Sequence, residues 1–317
     1  EDGECLTALV LQPQLAATST AFAFCHGDGA VVTWGDPLSG GNSSAVRDQV
    51  RGVQQIQATA RAFAAILEDA SVVTWGHPKY GADSSLVRDQ LLKGVQQIHA
   101  TANSFAAILA DGSVVTWGAA SCGGDSSAVR DQLRVVQQIQ AALDGAFAAI
   151  LEDGSVVTWG HAKYGADSSS VRDHLKGVQH IQATEQAFAA ILEDGSVVTW
   201  GNPLAGGDSS AVRDQLKGVQ QIQATGKAFA AILEDGSVVT WGDADFGGNS
   251  SAVRDQLKGV QQIRATRHAF AAILADGSVV TWGKASCGGD SSAVRDQLRG
   301  VQQIQATDHS FAAILAD

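Results

Sequence analysis

The chain has 317 residues, 45% of them apolar, with 35 Gly, only 4 Pro and no Met; that is enough hydrophobic material for a large core and excludes a disordered chain. Its 33 acidic residues outnumber 21 basic ones, for a formal charge of -12, which argues against a phosphate-binding face, because nucleic-acid binders present basic surfaces. No apolar run approaches the roughly 18 residues of a membrane span and no basic-then-apolar leader is present, so neither nucleic acid nor membrane insertion is expected.

In chain order, residues 1–29 are irregular: "EDGECLTALVLQP" is followed by "QLAATSTAFAFCHGDG", a degraded copy of what comes next. The start at Glu1 and the lack of Met give the chain the look of a piece of something longer. From residue 30 one unit recurs. Trp34, Trp75, Trp117, Trp159, Trp200, Trp241 and Trp282 are spaced by 41, 42, 42, 41, 41 and 41 residues, a period that denotes a solenoid or a propeller. Within the unit, "AFAAIL" and "SVVTWG" flank Glu-Asp-Gly and predict a β-hairpin. Neither strand alternates cleanly, so both faces are expected to be covered. "VQQIQAT" reads as a third, more polar strand near an edge or channel. "DSSAVRDQL" carries a Ser at an expected N-cap, with Val212, Leu216 and Val219 spaced for one inward-facing helical turn; an extended segment fits almost as well.

Three-stranded sheets, apolar on both faces and repeated seven times, predict an all-β fold: a seven-bladed β-propeller of about 41-residue blades spanning residues 30–317. Eight Phe strands, the first near Phe22 and the last near Phe311, accompany seven Trp strands. Pairing "FAAILAD" (311–317) with "AVVTWG" (Ala30–Gly35) would balance the count and close the ring through its two ends. The alternative pairs Ala21–Cys25 with Ala30–Gly35 and leaves Phe311 to begin an unfinished eighth blade.

The pattern "DGSVVTWG", followed by "SSAV" and "GVQQI", resembles the repeat of the regulator of chromosome condensation family. It is most similar to the short-bladed form of the β-lactamase inhibitor protein II type, and the resemblance implies seven three-stranded blades whose N-terminus completes the last hairpin. Inhibitor activity is not implied. The aromatic-rich positions of that family read here as Ala60-Arg61, Ala102-Asn103, Leu143-Asp144-Gly145, Glu185-Gln186, Gly226-Lys227, Arg267-His268 and Asp308-His309, with no aromatic among them. The wording of the repeats is also similar to repetitive dinoflagellate proteins that often carry an N-terminal ubiquitin-like domain, and residues 1–13 resemble the final strand of such a domain. That resemblance implies an adaptor role in ubiquitin signalling as an alternative.

No catalytic constellation, cofactor fingerprint or metal-ligand spacing is evident. The four Cys read as free thiols; Cys122 and Cys287 share a position in repeats four apart, far from each other in a ring. His77 and His161 share a loop position two repeats apart and lack a third ligand. Arg267-His268 and Asp308-His309 fall in neighbouring turns and could form a small polar cluster. The recurrent "DSS" triplets suit capping rather than nucleophilic catalysis. What differs between units lies just after each Trp-Gly, in "DPLS", "HPKY", "AASC", "HAKY", "NPLA", "DADF" and "KASC". Variable loops on a rigid scaffold are where recognition resides, and neutral drift among copies accounts for the variation equally well. His77, Lys79, Tyr80, His161, Lys163, Tyr164, Asp243, Asp245 and Phe246 are the candidate partner-binding residues, with aromatics as anchors. The expected function is a non-catalytic protein-interaction or scaffold module that takes a protein partner as one piece of a larger assembly, and not an enzyme; the enzyme alternative, with substrate in a central channel, requires one blade with a unique polar constellation, and none is found.

Overall fold

Each Phe–Trp hairpin forms as its sequence predicts. In Ala228–Gly242 the middle strand pairs antiparallel with the Trp strand in the register Phe229↔Trp241 and Ile232↔Val238. On its other side the middle strand pairs with Val219–Ala224, the expected third strand, which therefore occupies a sheet edge. A bulge between Val219 and Gln221 breaks the register of that edge. The computed structural model describes residues 12–315. The expected ubiquitin-like strand at 1–13 lies almost wholly outside them.

The chain groups into two units, Glu1–Val135 and Val136–Asp317. The first carries blades 1–3, at 14–35, 53–76 and 95–118. The second carries blades 4–8, at 136–160, 178–201, 219–242, 260–283 and 301–315. Blades 1–7 are three-stranded, and blade 8 has two strands among the described residues.

The seam is where sequence and structure differ. Val31–Gly35 pairs with Ala21–Cys25, in the register Phe22↔Trp34, rather than with the chain's last strand. Gln14–Ala17 adds the third strand of blade 1. Phe311–Leu315 pairs with Val301–Ala306. The expected closure by pairing of the N- and C-terminal strands is thus corrected in favour of the local hairpin. The physical reason is loop length: a turn at His26–Ala30, closed by the His26 N–H to Ala30 carbonyl bond of 2.8 Å, costs far less closure entropy than a partner some 280 residues away. The Phe22–Trp34 ring stack at 5.4 Å reproduces the 5.2 Å Phe229–Trp241 stack of an internal blade, so the degraded copy still forms a complete sheet.

Packing explains why neither strand alternates. Ala187, Ala189 and Ile191 of blade 5 pack against Leu216, Val219, Ile222, Phe229 and Trp241 of blade 6. Ala228, Ala230 and Ile232, on the opposite face of blade 6, repeat this against Phe270 and Trp282 of blade 7. Within each unit a small, Ala-lined face of one blade thus receives the large Phe-bearing face of the next, which leaves internal blades such as blade 6 dry on both faces. At five junctions within the units the indole also donates a hydrogen bond: Trp75 to the Gly40 carbonyl and Trp117 to Gly81 in the first unit, and Trp200, Trp241 and Trp282 to Gly165, Gly206 and Gly247 in the second. The glycine is required there. A Cβ on Gly206 would come within 2.6 Å of the Phe229 ring.

The "DSSAVRDQL" segment is 3₁₀ rather than α-helical in most blades, as at Ser210–Gln215. The expected Ser cap is replaced by an Asp: Asp208 Oδ1 accepts from the Ser210 N–H at 2.9 Å, and Ser209 instead takes a hydrogen bond from the Thr199 hydroxyl. Leu216 and Val219 are buried as the spacing predicts. Hairpin turns repeat the Asp device, since Asp153 Oδ1 accepts from both the Ser155 hydroxyl (2.6 Å) and its N–H (2.9 Å). The serine hydroxyl first, and the backbone N–H second, hold the carboxyls of Asp69, Asp111, Asp153, Asp194, Asp235 and Asp276 below their ordinary value.

Three outcomes follow from this packing. Phe229→Ala, at a fully buried ring, should cost about 3–5 kcal/mol in urea denaturation, and Phe22→Ala, at a ring 40% exposed, less than about 2 kcal/mol. Val135 sits at φ 54° where the other repeats place Gly at φ 62–89°; a β-branched residue there is strained, so Val135→Gly should stabilise by about 0.5–1 kcal/mol despite the added chain entropy. Because folding lowers the turn-Asp pKa values, the native state binds fewer protons than the unfolded chain. Their contribution should be fully present above about pH 4 and be lost as pH falls through the lowered native values. A melting-temperature series against pH checks this, with Ser155→Ala weakening the acid dependence.

Candidate functional site

In each blade the loop after the Trp strand and the turn before the Phe strand lie at the same end, because the register joins Ala228 to Gly242. A threonine fixes one to the other. Thr225 Oγ1 donates to the Phe246 carbonyl at 2.9 Å and caps its own turn by accepting from the Ala228 N–H. Thr59 does the same to Tyr80, Thr101 to Cys122, Thr184 to Ala205 and Thr266 to Cys287. The Asp243 N–H returns a bond to the Lys227 carbonyl. The loops are single 3₁₀ turns, and each ends on a left-handed Gly such as Gly165 or Gly247. The recurrent Thr of "AT" is thus a positioning residue that sequence reading passed over; its repetition directly before the variable pair was the available signal.

Neighbouring turns are also linked by backbone. In the first unit the Ser19 N–H donates to the Ala60 carbonyl and the Ala60 N–H to Ala102. In the second, Asp144, Glu185, Gly226 and Arg267 donate in turn to Glu185, Gly226, Arg267 and Asp308, at 2.8–3.1 Å. This ladder aligns one variable residue from each blade. In the second unit four of these five residues are charged, and the fifth, Gly226, leaves room between Glu185 and Arg267. Glu185 reaches past it to Arg267, Oε1 to Nε 2.6 Å, with the Glu185 side chain 9% exposed. The Arg267 guanidinium is held above its ordinary pKa first by that hydrogen bond and then by the Glu185 charge. Gln186 donates to Asp144 at 2.6 Å and accepts from Asn202.

The sequence-predicted residues occupy these loops, and their aromatic members are half-buried rather than free. Tyr80 packs on the core of blade 3, with His77 edge-on to its ring at 5.1 Å and the Arg61 guanidinium 5.6 Å from its centre. His77 also caps its own 3₁₀ turn. Tyr164 packs on the core of blade 5 and stacks with His161 at 4.2 Å. Phe246 packs on the core of blade 7, under Lys227 at 5.0 Å and beside His268 at 4.5 Å. Lys79, Lys163 and Asp245 are exposed, whereas Asp243 caps its turn by accepting from the Asp245 N–H. Tyr164 and Lys163 border a groove of about 810 Å³ together with Asp167, His174, Pro203 and Arg213. The His161 and Asp243 loops belong to blades 4 and 6 and are not brought into contact with each other by any bond among the described residues. The suggested cluster of His268 with His309 does form, rings 5.9 Å apart, and Cys287 joins it. No helix among the described residues is long and apolar enough to cross a membrane.

No protein-family model matches the chain, and no curated protein sequence matches it. Similar solved structures include Prp20p from Saccharomyces cerevisiae, 19% identical with a TM-score of 0.47 over 75% of this chain and 73% of that one. They also include human WBSCR16, 15% identical with a TM-score of 0.49 over 97% and 88% of the two chains, and the ACR4 ectodomain from Arabidopsis thaliana, 17% identical with a TM-score of 0.48 over 85% and 96%. The repeated three-stranded sheets are consistent with a propeller fold.

Removing the Arg267 side chain strands a buried carboxylate. Arg267→Ala should therefore lower stability by about 1–3 kcal/mol, and Glu185→Gln with Arg267→Ala should restore part of it. Arg51→Ala, whose partner Asp48 is solvent-exposed, should stay within about 0.5 kcal/mol of the parent. Urea denaturation of the three variants and the parent measures the difference.

Proposed function

We propose that the chain is a non-catalytic protein-interaction module, a rigid acidic scaffold whose loop end docks a protein partner. One observation carries the reading: the apolar faces are nearly the same in every blade, while the differences between repeats concentrate at one end, in loops that Thr side chains lock to the sheet. Binding there would meet preformed loops and lose little conformational entropy on contact. Tyr80 in the first unit, and Tyr164 and Phe246 in the second, each supply half-buried aromatic surface on their own unit, and the exposed Lys79, Lys163 and Asp245 beside them supply charge that selects and steers a partner. His77, His161 and Asp243 act on this surface by holding the turns and rings in place. Against catalysis, the Cys287–His309 contact holds a thiol that is only 5% exposed, which gives a substrate little access to the sulfur.

The test begins with crosslinking capture on the immobilised protein, followed by affinity measurement with each purified candidate. Lys163→Glu and Asp245→Lys lie on exposed positions and should leave the melting temperature unchanged; at least one is expected to weaken a genuine partner. Tyr164→Ala or Phe246→Ala should cost about 2 kcal/mol of binding, a roughly 30-fold loss. If all four variants bind every captured partner as the parent does, the loop end is not the docking surface.

A further inference from the structure

The fold assembles a donor set that sequence spacing does not reveal. His268 lies in the turn before the middle strand of blade 7, Cys287 in the loop after that blade's Trp strand, and His309 in the turn before the last strand of blade 8. One ligand atom from each falls within 4.8 Å of the others, and Cys287 Sγ is 3.7 Å from His309 Nδ1. We propose that His268, Cys287 and His309 form a three-ligand site for a divalent transition ion of the zinc class, with the fourth position open to water.

The donor chemistry suits that ion. Zinc takes thiolate sulfur at about 2.3 Å and imidazole nitrogen at about 2.0–2.1 Å in a tetrahedron, which places sulfur and nitrogen about 3.6 Å from each other. The Cys287–His309 separation is already there, and the third donor lies within 4.8 Å of both. A mixed sulfur and imidazole set disfavours the hard ions magnesium and calcium.

The backbone under the three ligands is fixed independently of any ion. The Thr266 hydroxyl holds the Cys287 carbonyl at 3.1 Å, the Lys284 N–H donates to the His268 carbonyl at 3.0 Å, and the Arg267 N–H donates to the Asp308 carbonyl at 3.1 Å. Phe246 covers one side of the His268 ring at 4.5 Å. His268 Nδ1 is shut off from solvent and has no hydrogen-bond partner, and a buried nitrogen in that state is a lone pair or proton awaiting a partner. The chain holds its own control. Cys122 ends the identical "ASC" turn in blade 3, but the nearby side chain there is Asn103, 3.7 Å from the sulfur, with no imidazole.

Bound metal would clip blade 8 to blade 7 and stabilise the protein by mass action. The test uses cobalt(II) as a spectroscopic probe and zinc as competitor on the full chain after chelator treatment. Expected are a sulfur-to-cobalt charge-transfer band with tetrahedral ligand-field bands, saturating at one ion per chain, displacement by zinc, and a zinc-dependent rise in melting temperature. Cys287→Ser should abolish the charge-transfer band. His309→Ala and His268→Ala should each weaken zinc at least about tenfold, while Cys122→Ser and Cys25→Ser leave binding intact. His309 is exposed, so its variant carries the test if replacing the buried Cys287 impairs folding, as judged by circular dichroism. The proposal is overturned if the parent shows no thiolate–cobalt band, if the band survives Cys287→Ser, or if His309→Ala binds zinc as tightly as the parent.

Discussion

The seating of a Phe–Trp face into the Ala-lined face of the preceding blade governs the rest of the structure. It requires one strand to be apolar on both sides, with Ala228, Ala230 and Ile232 facing forward and Phe229 and Ala231 facing back. It also requires a glycine where the Phe ring passes beneath the loop of the blade before, and the same glycine's carbonyl receives the indole proton. Hydrophobic burial, ring stacking and a buried hydrogen bond therefore depend on a single geometry, and none of them tolerates a shifted register.

Because this interface uses the sheet faces and the Trp indole, the loop end is left free to vary. The Thr lock transfers the rigidity of the sheet to the loop through backbone carbonyls, and so places no demand on loop side chains. A carbonyl is present whatever the residue, which is how "HPKY", "NPLA" and "DADF" can occupy equivalent turns. The proposed partner surface and the proposed metal site both arise from this separation between a constant scaffold and interchangeable loops.

The turn ladder adds a second level of organisation. By joining one residue from each successive blade of a unit, it converts differences between repeats into a row of side chains with defined neighbours. Gly226 shows the consequence: lacking a Cβ, it opens a path along which Glu185 reaches Arg267, 82 residues away in sequence. A repeat array can in this way assemble a site from residues no single repeat contains.

The 41-residue period, the hairpin and its register, the edge position of "VQQIQAT" and the dryness of both faces of internal sheets such as blade 6 were legible in the amino-acid sequence alone, because each depends on short-range spacing and on which side chains avoid water. The loop residues His77 to Tyr80, His161 to Tyr164 and Asp243 to Phe246 could be picked out for the same reason, as differences against a constant background. Only the tertiary structure decided what lies next to what. Val31–Gly35 takes Ala21–Cys25 because a five-residue turn outweighs a distant partner, although strand counting favoured the latter. Tyr80, Tyr164 and Phe246 serve the core as well as the surface. Cys287 completes a pair of histidines from two blades, since hydrogen bonding between repeats brings together donors that the linear spacing of ligands cannot announce.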